Sequence, residues 1–371
     1  MAHMTKRFYR ILSTGLLLET DSEELLNFFS TDFSWFEAKV DAGSATLSVS
    51  ASLHVPGKEP CLSINGEACS LEGHPNPSHF AYNSAMKRIM EEVRDFLLFH
   101  AGVVTQDKKA LIIAGLPGSG KTTLVIELLK WGFSFFSDDF CPIHRETGLI
   151  HPFPRSLWLS PSFDDAGARC GDLPRIPVRK GKKPVSVHEL GFPLGTSPCR
   201  ANMLMFLDSG CDSLPAYDLE IGLKGEGESA VIGDFSKLPG VVATRMNSRY
   251  PEWRVSVPKG GMLTERIRNI LKERSPYIWN VYRVDRVNPD FGGEPSISSM
   301  HIHEAAFRII RDLKQERVFD NRSGSWSFPP GALFVKINQL LEATACYRLS
   351  PGRLDAMIQL VLETWEASAS S

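Results

Sequence analysis

Over the first hundred positions, apolar and β-branched residues come in short bursts separated by turn-formers. Phe8–Glu19 (FYRILSTGLLLE) and Ala45–Val55 (ATLSVSASLHV) cluster or alternate them as strands do, whereas Ser22–Phe29 predicts a short helix. Between Phe80 and Leu98 the period changes. Tyr82, Met86, Ile89, Met90, Val93, Phe96 and Leu97 recur at helical spacing with Lys87, Arg88, Glu91 and Glu92 opposite them, which predicts a helix leading into a second unit. The breakers at 73–78 (GHPNPS) place a boundary near residue 78, so residues 1–78 are expected to form a small α+β accessory domain and 79–371 the main one.

Further on, Phe99–Val104 and Ala110–Ala114 flank the polar stretch TQDKK and predict a hairpin, with His100 on its first strand. Thr122–Lys130 predicts a helix stopped by Gly132, Phe133–Phe136 a buried strand, and Met203–Leu207 another. The patterns over Pro330–Thr344 and Pro351–Ala367 predict two amphipathic helices packed on the central sheet, the second with Ser350 as N-cap and Pro351 at its first helical position. His301-x-His303-Glu304 marks a helix start; histidines at i and i+2 face different sides of a helix and make a poor metal pair.

Composition narrows the class. A chain of 371 residues is long for one core and suggests two or three units. Its 41 basic and 43 acidic residues leave a net charge of -2, too neutral for a general affinity for nucleic acid or acidic membranes. No apolar run approaches the roughly 18 residues of a membrane span, and no leader pattern opens the chain, so a soluble, cytoplasmic protein is expected. Seven cysteines, odd in number and never spaced C-x-x-C, read as free thiols in a reducing compartment.

The candidate chemistry begins where the hairpin ends. Gly115, Gly120, Lys121 and Thr122 satisfy G-x-x-x-x-G-K-[ST] between a predicted strand and a predicted helix, the order that sets a helix N-terminus against a nucleotide's phosphates. Gly115, Pro117, Gly118, Ser119, Gly120, Lys121, Thr122 and Thr123 are the expected cradle. The next strand runs into Ser137-Asp138-Asp139, placing two carboxylates at the strand end where open α/β sheets bind ligands. Phosphoryl transfer needs a cation clamp, a Mg²⁺ ligand and a carboxylate near the attacking hydroxyl, and Lys121, Thr122 and the aspartates can supply them. Arg155, in a proline-braced turn, is a candidate phosphate or substrate clamp, or else a surface ion pair. Arg175, Arg179, Lys180, Lys182 and Lys183 fall in a Pro/Gly-rich loop that could steer an acidic peptide, close as a lid, or stay solvated; Lys180 and Lys182 are its substrate candidates.

The order and spacing of His100, the loop lysine Lys121 and the pair Asp138-Asp139, followed by Pro152-Phe153-Pro154-Arg155 and, near the end, Cys346-Tyr347-Arg348-Leu349, resemble the C-terminal domain of the HPr kinase/phosphorylase family and its serine-kinase relatives. The resemblance is strong over residues 98–160, weak over 170–345 and absent before 80. It implies an α/β P-loop nucleotide-binding domain of the HPr kinase/PEP carboxykinase type, using ATP and Mg²⁺. By the same resemblance Asp138 acts as general base, Thr122 and Asp139 serve the metal, and His100 lies near the phosphates. The family's later glycine-rich segment has no counterpart here, so kinase rather than phosphorylase activity is implied. The acceptor implied is a serine of a peptide or protein, and family members are often homo-oligomers. A small-molecule kinase with the same site and a non-catalytic ATP-binding regulator are the alternatives.

Overall fold

Strands covered on one side and strands covered on both are built differently in this chain, and that difference divides the molecule. The computed structural model describes residues 4–39, 42–74, 76–159, 183–208, 216–246, 251–258, 261–284, 291–313, 319–320, 325–326 and 330–369. Within these it is a mixed α/β molecule with several sheets.

The N-terminal unit starts with β1 (Thr5–Ile11) and β2 (Thr14–Thr20), a hairpin turned at Leu12, whose φ of 53° lets two residues close it. The single apolar run expected over Phe8–Glu19 is thus two strands. α1 (Glu23–Phe33) follows, started by Ser22, whose hydroxyl accepts from Leu25 N at 3.2 Å. Then come β3 (Glu37–Ala38), β4 (Leu47–Ser52), β5 (Cys61–Ile64) and β6 (Glu67–Ser70), completing a six-stranded sheet in the order β3-β1-β2-β4-β5-β6. α2 (Pro77–Glu92) lays Ala81, Tyr82, Ala85 and Ile89 into the same core as Tyr9, Leu18, Phe29 and Val49. The helix expected to reach Leu98 ends at Glu92. Phe96–Phe99 is instead β7, four consecutive buried residues that need cover on both sides, which a one-faced helix cannot give.

The central sheet has the order β10-β8-β9-β14-β22-β19. β8 (Ala101–Gln106) and β9 (Lys109–Ala114) form the expected hairpin, its turn made by Asp107 and Lys108 at φ 51° and 61°. α3 (Lys121–Lys130) and β10 (Ser134–Ser137) follow, then β11 (Cys141–His144), which pairs with β7. β12 (Leu157–Leu159) pairs with β13 (Lys183–Val185), and β14 (Arg200–Leu207) lies parallel to β9.

Between β14 and the rest of the sheet stands a unit the sequence reading did not resolve: β15 (Ala216–Leu223), α4 (Glu228–Ser236), β16 (Val242–Arg245), β17 (Glu252–Pro258), α5 (Gly261–Glu273) and β18 (Ile278–Val284). Its all-antiparallel sheet in the order β16-β17-β15-β18 is the split β-α-β of ferredoxin-like folds. β19 (Ile297–Ser299), α6 (Ile302–Asp312), the short pair β20 (Phe319–Asp320) and β21 (Ser325–Trp326), α7 (Pro330–Leu341), β22 (Ala345–Leu349) and α8 (Leu354–Ala369) complete the chain.

Alternation along the central strands sorts their side chains to two layers. Val104, Leu111 and Ile113 meet α3 and α8 through Leu124, Val125, Val361 and Trp365. Val103, Ile112 and Ala114 meet α6 and α7 through Ala305, Ile309, Leu333 and Ile337. The last helix begins three residues later than expected, at Leu354. Ser350 is no N-cap, because its hydroxyl accepts from Ser296 N at 2.7 Å and ties β22 to the segment before β19. His301 does cap α6, accepting from His303 N at 3.3 Å. Among the described residues no helix is long and apolar enough to cross a membrane.

Candidate nucleotide and phosphoryl-transfer site

β9, β14 and β10 run in one direction, so their C-terminal ends open on one edge of the sheet. β9 delivers the loop from Gly115. A Cβ at Gly115 would stand 2.7 Å from Ser119 Oγ and 3.1 Å from Leu207 Cβ, so only glycine lets the loop turn against the end of β14. Gly118 and Gly120 take φ of 89° and 93°, the left-handed region. Gly120 is the N-cap of α3 and has no side chain to satisfy the first N–H groups of the helix, which leaves that duty to an anion. Lys121 folds back over the loop, donating from Nζ to the Gly115 carbonyl at 2.8 Å and the Leu116 carbonyl at 3.1 Å. Ser119 Oγ is buried without a hydrogen-bond partner among the described residues. A buried donor facing a glycine cradle, a cation and an uncapped helix start fit a phosphate chain.

The aspartates divide their partners. Thr122 Oγ1, on the first turn of α3, donates to Asp138 Oδ2 at 2.9 Å. Asp139 turns the other way and accepts from Arg155 NH1 at 3.1 Å through Oδ2. His100 sits between β7 and β8, one residue off the strand expected for it, and its Nδ1 lies 2.9 Å from the Asp139 carbonyl. A carbonyl only accepts, so Nδ1 carries the proton. Thr122 therefore meets Asp138, while Asp139 is gathered with His100 and Arg155. Thr122 and the two carboxylates offer hard oxygen donors of the kind Mg²⁺ takes, and no group of three or more His, Cys, Asp or Glu forms a closed metal cage among the described residues. Mg²⁺ sites beside phosphates commonly use only one or two protein carboxylates.

Arg155 lies inside the molecule, 7% exposed, with its guanidinium turned from solvent. NH2 donates to Asp32 Oδ2 at 2.6 Å and to the Tyr82 hydroxyl at 3.0 Å. Burial works against its charge, and Asp32, with Tyr82 and Asp139, more than offsets that, so the guanidinium pKa is raised. Asp32 and Tyr82 belong to α1 and α2 and were not anticipated as neighbours of the site. A signal existed: Asp32 stands in the apolar stripe Leu25, Phe28, Phe29, Phe33, where an acid needs a partner.

Asp208, directly after β14 and beside the loop strand, was also missed; it lies 3.9 Å from Arg348 NH1 and 4.0 Å from Arg308 NH2. Phe291, 45% exposed, places ring atoms 3.4 Å from where a Gly120 Cβ would be. Lys180 and Lys182 lie outside the described residues. Burial pushes the Cys141 thiol well up and those of Cys199 and Cys346 to about 11, which leaves no thiolate nucleophile among these three.

Fold and site together describe a mixed α/β chain with a phosphate-loop motif at the open edge of a sheet. No family model and no curated protein matches it. Among solved structures it is similar to the HPr(Ser) kinase/phosphatase from Coxiella burnetii, at 16% identity over 48% of this chain and 96% of that one, with a TM-score of 0.19. That superposition is too loose to carry fold or function.

Proposed function

We propose that the chain is an ATP-dependent kinase that transfers the γ-phosphoryl group of Mg-ATP to a hydroxyl, in the first instance a serine of a peptide or protein. The observation that carries this reading is the 2.9 Å bond between Thr122 and Asp138, which puts a carboxylate at the helix start beside the loop lysine. Mg²⁺, when bound, would be held by Thr122 with the carboxylate beside it, Asp138, rather than by the Asp139 expected from the sequence, and would draw off charge from the phosphoryl oxygens.

The chain's own residues supply the remainder. Backbone N–H groups of Gly118 to Thr122 and the start of α3 hold the phosphates, and Lys121 leaves its two loop carbonyls to meet them. Asp138 accepts the proton of the acceptor hydroxyl as the oxygen attacks phosphorus in line with the leaving group. His100 fixes the Asp139 backbone through its carbonyl, so the two aspartates keep their opposed directions.

Transfer of labelled γ-phosphate from Mg-ATP into a peptide pool and a small-metabolite pool, with Asp138→Asn as control, tests the proposal. Label on a peptide serine that disappears in the variant supports it as stated. Label on a metabolite moves the acceptor class and keeps the machinery. Tight ATP binding with no transfer into either pool makes the chain a binder and overturns it.

A further inference from the structure

Phe291 belongs to none of the four buried clusters among the described residues, and 45% of it is exposed. The chain that carries it is nonetheless tied down. The Gly293 carbonyl accepts from Arg353 N at 2.9 Å, the Ser296 carbonyl accepts from Ser350 N at 2.9 Å, and Ser296 N donates to Ser350 Oγ at 2.7 Å. Gly352 lets the two segments meet: a Cβ there would stand 2.5 Å from Pro295 N and 2.7 Å from the Gly293 carbonyl oxygen, closer than a side chain allows. The stretch before β19 is thus held on the loop before α8, and it lays the Phe291 ring on the phosphate loop. Ring atoms Cε1 and Cζ come 3.4 Å from where a Gly120 Cβ would be, at the residue that starts α3.

A lone exposed ring needs no explanation on most of a protein surface. This one lies where a ligand is expected. Gly120 is the uncapped start of α3, beside the buried Ser119 hydroxyl and Lys121, so a nucleotide held there by its phosphates must lead its sugar and base out across the rim of the same loop. A ring fixed at that rim offers the base what the cradle, made of backbone N–H groups and a cation, does not: an apolar π-face on which a flat heterocycle stacks. We infer that Phe291 is the stacking platform for the base of the bound nucleotide, and hence the residue by which the site tells a nucleoside triphosphate from a bare polyphosphate. The inference rests on the proposed binding of ATP at this loop.

The test compares, by calorimetry on the full chain with Mg²⁺ in excess, the affinity for a non-hydrolysable ATP analogue with that for inorganic tripolyphosphate, which has the phosphates and no base. Phe291→Ala should weaken the analogue on the order of tenfold and leave tripolyphosphate within about twofold. Phe291→Leu keeps an apolar group against Gly120 without a π-face and should lose nearly as much, whereas Phe291→Tyr should bind the analogue within about twofold of the wild type. Equal weakening of both ligands in Phe291→Ala would make the ring a brace for the loop, tighter binding of both would make it an obstruction, and full analogue affinity in Phe291→Leu would reduce it to an apolar filler; each of these overturns the inference. Lys121→Ala keeps the two levels apart. If that variant loses both ligands while Phe291→Ala changes neither, only this inference fails. If the wild type binds neither ligand, or Lys121→Ala binds both as the wild type does, the reading of the loop falls and the inference with it.

Discussion

β9 in the central sheet and β15 in the ferredoxin-like unit are both short strands from one chain, yet they are written in different codes. In β9 every residue after Lys109 is buried, because helices cover both faces. In β15 burial alternates: Tyr217, Leu219, Ile221 and Leu223 meet α4 and α5, while Asp218 and Glu220 face out and pair across to Arg254, each at 3.7 Å. A sheet covered on both sides has no face left for ligands, so its chemistry is confined to the edge where strands end, and there Gly115, Asp138 and Asp208 are found. A sheet covered on one side keeps a polar face and needs no such edge.

If that comparison is right, changes at the strand ends should cost function and changes within the layers should cost stability. The largest effect is expected from Lys121→Ala, which should lower nucleotide-dependent turnover by about a hundredfold or more in a steady-state assay. Turnover at the wild-type rate would remove the loop from the mechanism. Asp138→Asn should cost about 10²- to 10⁴-fold in kcat while ATP affinity, read by calorimetry, changes little. Joint loss of binding and transfer would instead make Asp138 part of the nucleotide and metal site.

Truncating matched core positions separates the two sheets. Ile112→Ala and Ile221→Ala each remove a fully buried branched side chain and should each cost about 2–5 kcal/mol of the unit that holds them. Only Ile112→Ala should lower the thermal midpoint of nucleotide binding; Ile221→Ala should show its loss by faster hydrogen exchange in β15 and β17. Equal damage to binding from both would mean that the two sheets melt as one. Where the ferredoxin-like unit meets the N-terminal one, the His74 and Trp279 ring centres lie 4.2 Å apart, with the Phe80 ring at 5.8 Å and the Lys224 ammonium 4.7 Å from the centre of the same Trp279 ring. Burial first, then His79 and Lys224, lower the His74 pKa from 6.5 to about 4. The unfolded chain therefore binds this proton more readily, and the contact gives its full stability above about pH 6.5 and loses it as pH falls towards 4. Thermal midpoints should drop over that window in the wild type and fall less steeply in His74→Asn; parallel curves would dismiss the contact as a pH-sensitive element. The smallest effect belongs to the polar face, where Arg254→Ala should change stability by about 1 kcal/mol or less in a urea titration.

What was legible in the sequence follows the same division. The hairpin, the glycine loop, α3 and the strand into Asp138-Asp139 are contiguous, and local spacing plus turn chemistry sufficed to place them. The alternation over Tyr217–Leu223 is equally local, but no turn pair or motif frames it as the hairpin and the glycine loop frame their strands. Other features are not local. Arg155 meets Asp32 across 123 positions and Tyr82 across 73, and no period within either helix records which distant cation answers a buried acid. Ser350 has the right chemistry for a helix cap but is claimed by Ser296, a competition decided only by the pairing of β22 with β19. The helical spacing over Phe80–Leu98 was genuine as far as Glu92; beyond it, β7 is buried on all sides, and periodicity cannot mark where one kind of burial gives way to another.

The position of β22 in the chain has a consequence for how the protein is made. β14 leaves the central sheet at Leu207, and its parallel neighbour β22 arrives only at Ala345–Leu349, after the entire ferredoxin-like unit and α6 and α7. The two units translated earlier gather buried clusters of their own, but the sheet that backs the phosphate loop stays open on its β14 side until β22 has been made. Nascent chains stalled before Ala345 should therefore fail to hold ATP, and those from which β22 and α8 have emerged should hold it, so that nucleotide binding waits on the last strand of this sheet.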